Sequence, residues 1–140
     1  MKSKNALLVV WLVFASNSFA QTKIEAKDGI HYLTTDIGYP ITGTYFFNGA
    51  EPTVELNGNG TGLYQLHEQP KKAVTWGIEC NEVGEPLFKK GFDNAAYILW
   101  YLYTNPENEE ERYWKTVPFT IHFNSLKMFI QGERCKAFTQ

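Results

Sequence analysis

The chain has 140 residues, of which 16% are aromatic and 20% charged, and its formal net charge is −2. That length suits one domain with a modest core. The mildly acidic balance offers no basic footprint for nucleic acid or for an anionic membrane surface.

The first residues have the layout of an export signal. Lys2 and Lys4 provide the positive start, Ala6–Ala15 reads ALLVVWLVFA without a charge, and Ser18-Phe19-Ala20 places small residues where a signal peptidase cuts. A membrane anchor needs about 20 apolar residues, and this run is too short. We therefore expect residues 1–20 to be removed, with no membrane insertion afterwards and a periplasmic or secreted destination. Residues 21–40 are polar without clear periodicity and read as an extended lead-in. Residues 41–140 read as a single β domain.

From Ile41 onward the chain falls into short β-type runs separated by turn residues. Gly43–Phe47 ends at Asn48-Gly49, a strong hairpin dipeptide, and Thr53–Asn57 alternates around Val54 and Leu56. Gly58-Asn59-Gly60 reverses the chain into Gly62–His67. In Ala73–Cys80, the residues Val74, Trp76, Ile78 and Cys80 recur at period two, which marks a half-buried strand. A short run follows from Leu87 to Phe92. Ala95–Thr104 is apolar on both faces, and Asp93 and Pro106 could bound a helix, but its Tyr, Ile and Trp content favours a strand. Both faces being apolar, one of them needs a further protein layer or a partner. Beyond the polar loop 105–111, Val117, Phe119, Ile121 and Phe123 alternate, then Leu126, Met128 and Ile130.

About eight strands joined by short turns make an all-β antiparallel meander, with a closed small barrel as the expected architecture and a β-sandwich as the alternative. Cys80 and Cys135 are the two cysteines of the chain. Their even number and an oxidising destination favour a disulfide, worth roughly 4 kcal/mol on chain-entropy grounds.

Several features together resemble the lipocalin-type barrels of the calycin group. Gly43-Thr44-Tyr45 stands where that family opens its first strand with Gly-x-Trp, and Arg134 stands where a late cation packs across that ring. Cys80 at the end of the fourth strand and Cys135 in the tail resemble the strand-to-tail disulfide of many lipocalins. The run Leu56–Gly62, followed by Trp76-Gly77-Ile78, is similar to small bacterial lipocalin-like domains. The resemblance spans residues 41–136 and implies a barrel; it does not assign a ligand.

Catalytic signatures are missing from the sequence. His31, His67 and His122 lack metal-ligand spacing. Ser125, the one serine after the leader, sits in a turn, and there is no Gly-x-Ser-x-Gly, so nucleophilic hydrolase chemistry is not expected. Asn59-Gly60-Thr61 matches a glycosylation pattern, but it is read as the hairpin turn itself. We expect a non-enzymatic binding protein without a cofactor. Its leading ligand is a small apolar molecule in an interior lined by Tyr45, Phe47, Tyr64, Trp76, Trp100, Tyr101 and Trp114. The alternative is a protein-binding inhibitor or immunity protein acting on a cell-wall or toxin enzyme. It would meet a basic partner through Glu107, Glu109, Glu110 and Glu111.

Overall fold

The computed structural model describes residues 21–138, so the expected leader lies outside the described residues. Among these residues the chain forms eleven strands and one 3-10 turn, Glu110–Arg112. The strands are β1 (Thr22–Ala26), β2 (Gly29–Thr34), β3 (Gly43–Phe47), β4 (Ala50–Leu56), β5 (Thr61–Gln65) and β6 (Lys71–Cys80). They continue as β7 (Phe88–Lys90), β8 (Asn94–Tyr103), β9 (Lys115–His122), β10 (Lys127–Ile130) and β11 (Arg134–Ala137).

Eight of them, β3 to β6 and β8 to β11, close into an antiparallel barrel of calycin-like architecture. Sequential strands pair around the wall, β6 meets β8, and β11 returns to β3. The 95–104 region is strand, paired with β9 along Asn94–Tyr101 and with β6 from Leu99 to Tyr103. Two details differ from the sequence expectation. The run near Leu87–Phe92 forms β7, a short strand beside β8 but outside the barrel. The tail strand β11 takes its place in the wall. Between β3 and β4, Asn48 and Gly49 both adopt positive φ, the backbone that a tight hairpin turn requires and that Asn-Gly tolerates.

Alternation along each strand sends one set of side chains inward. Tyr45, Val54, Ile78, Leu99, Phe119, Ile121, Met128 and Ile130 are completely buried there. An eight-stranded interior is just wide enough for side chains to fill. One end is plugged by the 37–41 segment and the tail: Tyr39 packs 5.6 Å from the ring of Phe123 and 6.3 Å from that of Phe138, over Ile37 and Ile41.

The polar segment before the barrel contains two paired strands. β1 and β2 form a hairpin with Lys27-Asp28 at its turn, and β2 joins the upper half of β6 through Tyr32–Cys80, Leu33–Glu79 and Thr34–Ile78. This hairpin lies on the outer wall, where Ile24 and Leu33 bury Trp100. Gly77 makes the contact possible, since a Cβ there would come 2.6 Å from that of Leu33. Glycine inside a strand commonly marks such a close approach. The hairpin is thus the extra layer that the two apolar faces of β8 demand.

The expected disulfide is not formed: Cys80 and Cys135 are free thiols. Cys80 is on β6 and Cys135 on β11, four strands apart counting either way around the barrel. A disulfide needs Cα atoms within about 7 Å, and opposite walls of a filled barrel cannot meet that. Burial raises the pKa of the Cys80 thiol, helped by the charge of Glu79. We expect thiol titration of the denatured, unreduced protein to give two equivalents. In the native state the half-buried Cys135 should react first, and a reductant should leave the melting temperature unchanged.

Arg134 is 1% exposed, yet its guanidinium lies inside the wall. One Nη donates to the Gln65 carbonyl at 2.7 Å, the other to Glu133 Oε1 at 2.8 Å, and the group sits 5.4 Å from the ring of Tyr64. The ring it packs on is therefore that of Tyr64 on β5, not that of Tyr45 on the first barrel strand. Arg134→Ala removes a packed side chain and a charge-assisted hydrogen bond, so we expect a loss of about 2–4 kcal/mol in denaturant unfolding.

Candidate functional site: the tyrosine mouth of the barrel

The end of the barrel opposite the plug is built differently. Period-two alternation points Tyr64 of β5, Lys72 of β6 and Tyr101 and Tyr103 of β8 toward the axis at this end. The rings of Tyr64 and Tyr101 stack across β6, 4.1 Å apart and 8° from parallel, and Tyr103 meets Tyr101 edge-on at 5.7 Å. Burial raises all three phenols, that of Tyr64 to about 12, so each remains a protonated hydrogen-bond donor at neutral pH. The Tyr64 hydroxyl donates to Gln131 Oε1 at 3.2 Å.

Above these rings the acidic loop folds back. Asn108 Oδ1 accepts the Glu111 amide at 3.0 Å and opens the 3-10 turn, while Glu111 Oε1 accepts the Glu107 amide at 3.0 Å. Lys72 Nζ donates to Glu111 Oε2 at 2.7 Å. That pairing holds the Glu111 carboxyl below the usual carboxylate range, with the Glu107 amide contributing, and holds the Lys72 amine above its own. A cavity of about 390 Å³ remains between tyrosines and loop, with Leu66, Gln69 and Lys115 also in its lining. The lining contains no histidine, serine or cysteine. It offers three tyrosine rings as a floor and a mostly polar rim in which Lys72 pairs with Glu111 and Glu107 beside Glu110 and Lys115.

The other residues singled out from the sequence fall in different places. Tyr45 is core: its hydroxyl donates to the Ile41 carbonyl at 2.5 Å, and its ring is edge-on to Phe119. Trp76 lies inside toward the plugged end, its Nε1 donating to the carbonyls of Asn57 and Thr61, both at 3.0 Å. Phe47 sits at the rim, edge-on to His67. Trp100 and Trp114 lie outside the barrel under the hairpin. The acidic loop is largely spent on internal contacts. Glu111 and Glu107 face Lys72, Glu109 faces Arg112 at 3.7 Å and Tyr113, and the Glu110 carbonyl accepts Lys115 Nζ.

His31 and Glu79 were not singled out as a pair, and they tie the hairpin down. Glu79 Oε1 accepts Trp100 Nε1 at 2.9 Å, its Oε2 lies 3.2 Å from His31 Nδ1, and His31 Nε2 lies 2.8 Å from Asp28 Oδ1. The imidazole also packs 4.4 Å from the indole of Trp100. The sequence signals were Gly77 within a strand, and Glu79 two residues on along the same face.

Comparison of the chain with protein-family models, with curated proteins and with solved structures gives no match in any of the three. Fold and site define a class on their own terms: a small closed β-barrel of calycin-like architecture, plugged at one end and carrying an ion-paired, tyrosine-floored mouth at the other.

Burial lowers the pKa of His31, but its hydrogen bonds to Asp28 and Glu79, with their charges, outweigh that, and the result is a raised value. A raised histidine stabilises the folded state fully below its unfolded pKa, about 6.5, and loses that contribution as pH rises through the folded value. We expect wild type to exceed His31→Gln in thermal stability by more at about pH 5.5 than at about pH 8.5. The Trp100 emission should report the same difference locally.

Proposed function

We propose that this is an exported, non-enzymatic binding protein that takes a small, largely apolar molecule at the tyrosine mouth of its barrel. The observation that carries the reading is the 390 Å³ cavity floored by the Tyr64–Tyr101 stack and bridged by Lys72–Glu111. Ligand pockets commonly pair apolar surface with placed polar groups; the tyrosine rings supply the first here, and the charged rim of Lys72, Lys115, Glu107, Glu110 and Glu111 requires polar groups on the ligand as well. Here a flat apolar body rests on the phenol rings and its polar end faces the ion pair. The interior beneath is occupied by side chains, so the ligand sits at the mouth rather than deep in the barrel. Export rests on the leader residues. Kinship with lipocalins rests on the barrel architecture and the Gly43-Thr44-Tyr45 opening.

A basic protein partner has less support, because Glu107, Glu109 and Glu111 face cations of their own chain. The test uses an apolar-ring anionic dye, anilinonaphthalene sulfonate, as the probe. We expect saturable fluorescence enhancement in the folded protein. Leu66→Trp changes a half-exposed rim residue and fills the mouth, so it should weaken the probe about tenfold with an unchanged melting temperature. Equal binding by that variant would remove the mouth as the site.

A further inference from the structure

A second concavity, separate from the mouth, lies on the outer wall. The β1–β2 hairpin covers Trp100 but leaves Ile98 of β8 45% exposed. Between the hairpin turn and the β8–β9 wall is an open cleft of about 550 Å³. Its floor is Ile98 with the edge of Trp100, and Tyr113 and Trp114 flank it. The floor is held firmly: Trp100 is fixed by the Glu79 hydrogen bond and by the His31 ring over it.

Polar groups of both signs ring this floor. Asp28, His31 and Glu79 form one bank, and the Asp28 carboxylate remains 69% exposed, with acceptor capacity to spare. Arg112 and Thr116 supply donors on the other bank, and Arg112 is 65% exposed, with Glu109 3.7 Å from its Nε. Lys27 stands 3.7 Å over the ring of Tyr113 and ties the hairpin turn to the 3-10 segment. The chemistry narrows the ligand. A purely apolar molecule would strip water from Asp28, Glu79 and Arg112 and return no hydrogen bonds, which is costly. An ion of either sign would meet like charges on one bank. A neutral ring with one apolar face and many hydroxyls satisfies both constraints. Its C–H face would lie on Trp114 and Ile98, and its hydroxyls would donate to the carboxylates and accept from the guanidinium.

We propose that this outer cleft is a binding site for a neutral saccharide, independent of the barrel mouth. The cleft opens to the side, so a free oligosaccharide and a segment of a longer polysaccharide share this chemistry.

The experiment titrates full-length mature protein with maltohexaose, cellohexaose and chitohexaose, followed by calorimetry and tryptophan emission. Acidic galacturonate oligomers serve as the charged comparison, and co-sedimentation with insoluble neutral polysaccharide separates the two sources. Expected is saturable binding of at least one neutral oligomer with a change in emission, since Trp100 and Trp114 line the cleft. Trp114→Ala should weaken it about tenfold. Because Trp114 also packs on the hairpin, Arg112→Ala, a surface change, is the second variant and should weaken binding with an unaltered melting temperature. Leu66→Trp, which fills the mouth, should leave saccharide binding intact, so failure here is distinguishable from failure of the mouth. Three results would overturn the proposal: no neutral oligomer binding, affinities untouched in both cleft variants, or tighter binding of the acidic oligomers.

Discussion

The barrel depends on one short seam. Where β3 meets β11 only two residue pairs are in register, Arg134 with Phe47 and Cys135 with Phe46, whereas β8 and β9 share eight. Closing a sheet removes its exposed edges, so this weakest junction decides whether the wall is a barrel or an open sheet. Arg134 reinforces it from within. Its side chain passes behind β3 and β4 to the last residue of β5, donating to the Gln65 carbonyl, while Glu133 and the ring of Tyr64 accommodate the charge. A buried guanidinium is expensive unless so accommodated, and its Nε is left without a partner. The same contact presses on Tyr64 and thus on the Tyr64–Tyr101 stack, so the seam and the floor of the mouth are one packed unit.

That closure also explains why the concavities are not central. An interior with room for either side chains or one small ligand is here given to side chains, with Phe119 meeting Tyr45 and Tyr97 edge-on. Tyrosine in such a core has to find a partner for its hydroxyl. Tyr45 finds one in the backbone of Ile41, near the plug, whereas Tyr64, Tyr101 and Tyr103 carry theirs at the opposite rim, where polar groups and solvent are available. The mouth is therefore where the core runs out of apolar neighbours, and the remaining concavities lie outside the wall.

Much of the wall was legible from alternation alone. Val74, Trp76, Ile78 and Cys80 all face inward or are buried, as period two requires, and Asn48-Gly49 turns the chain where its composition demands. The two apolar faces of β8 correctly called for another layer. What covers it was not legible, because the hairpin strands are polar and show no period: of β1, only Ile24 is buried. β11 was missed as a wall strand for a similar reason, since Arg134–Ala137 is too short to display alternation and its one deeply buried side chain is an arginine. The cysteines misled because their even count and an expected oxidising destination say nothing about angle, and β6 and β11 occupy opposite sides of the barrel. The aromatic set was split by facing: adjacent residues Trp100 and Tyr101 point to opposite sides of one strand, which places them in different concavities.

A single strand writes both layers of the molecule. The inward residues of β6 belong to the barrel core, while its outward residues prepare the surface for the hairpin. Gly77 yields the space that Leu33 occupies, and Glu79, two positions further on the same face, supplies the anchor shared by Trp100 and His31. Docking of the hairpin rests on both devices. A side chain at Gly77 would meet Leu33, and loss of the Glu79 carboxylate would leave the Trp100 indole N–H without its acceptor and His31 with Asp28 alone. Gly77 lies opposite Trp100, and the hairpin buries that indole while leaving Ile98 exposed. That uncovered residue of β8, beside the edge of Trp100, is the floor of the outer cleft, so the surface that β6 prepares for the hairpin also sets where the hairpin's cover ends.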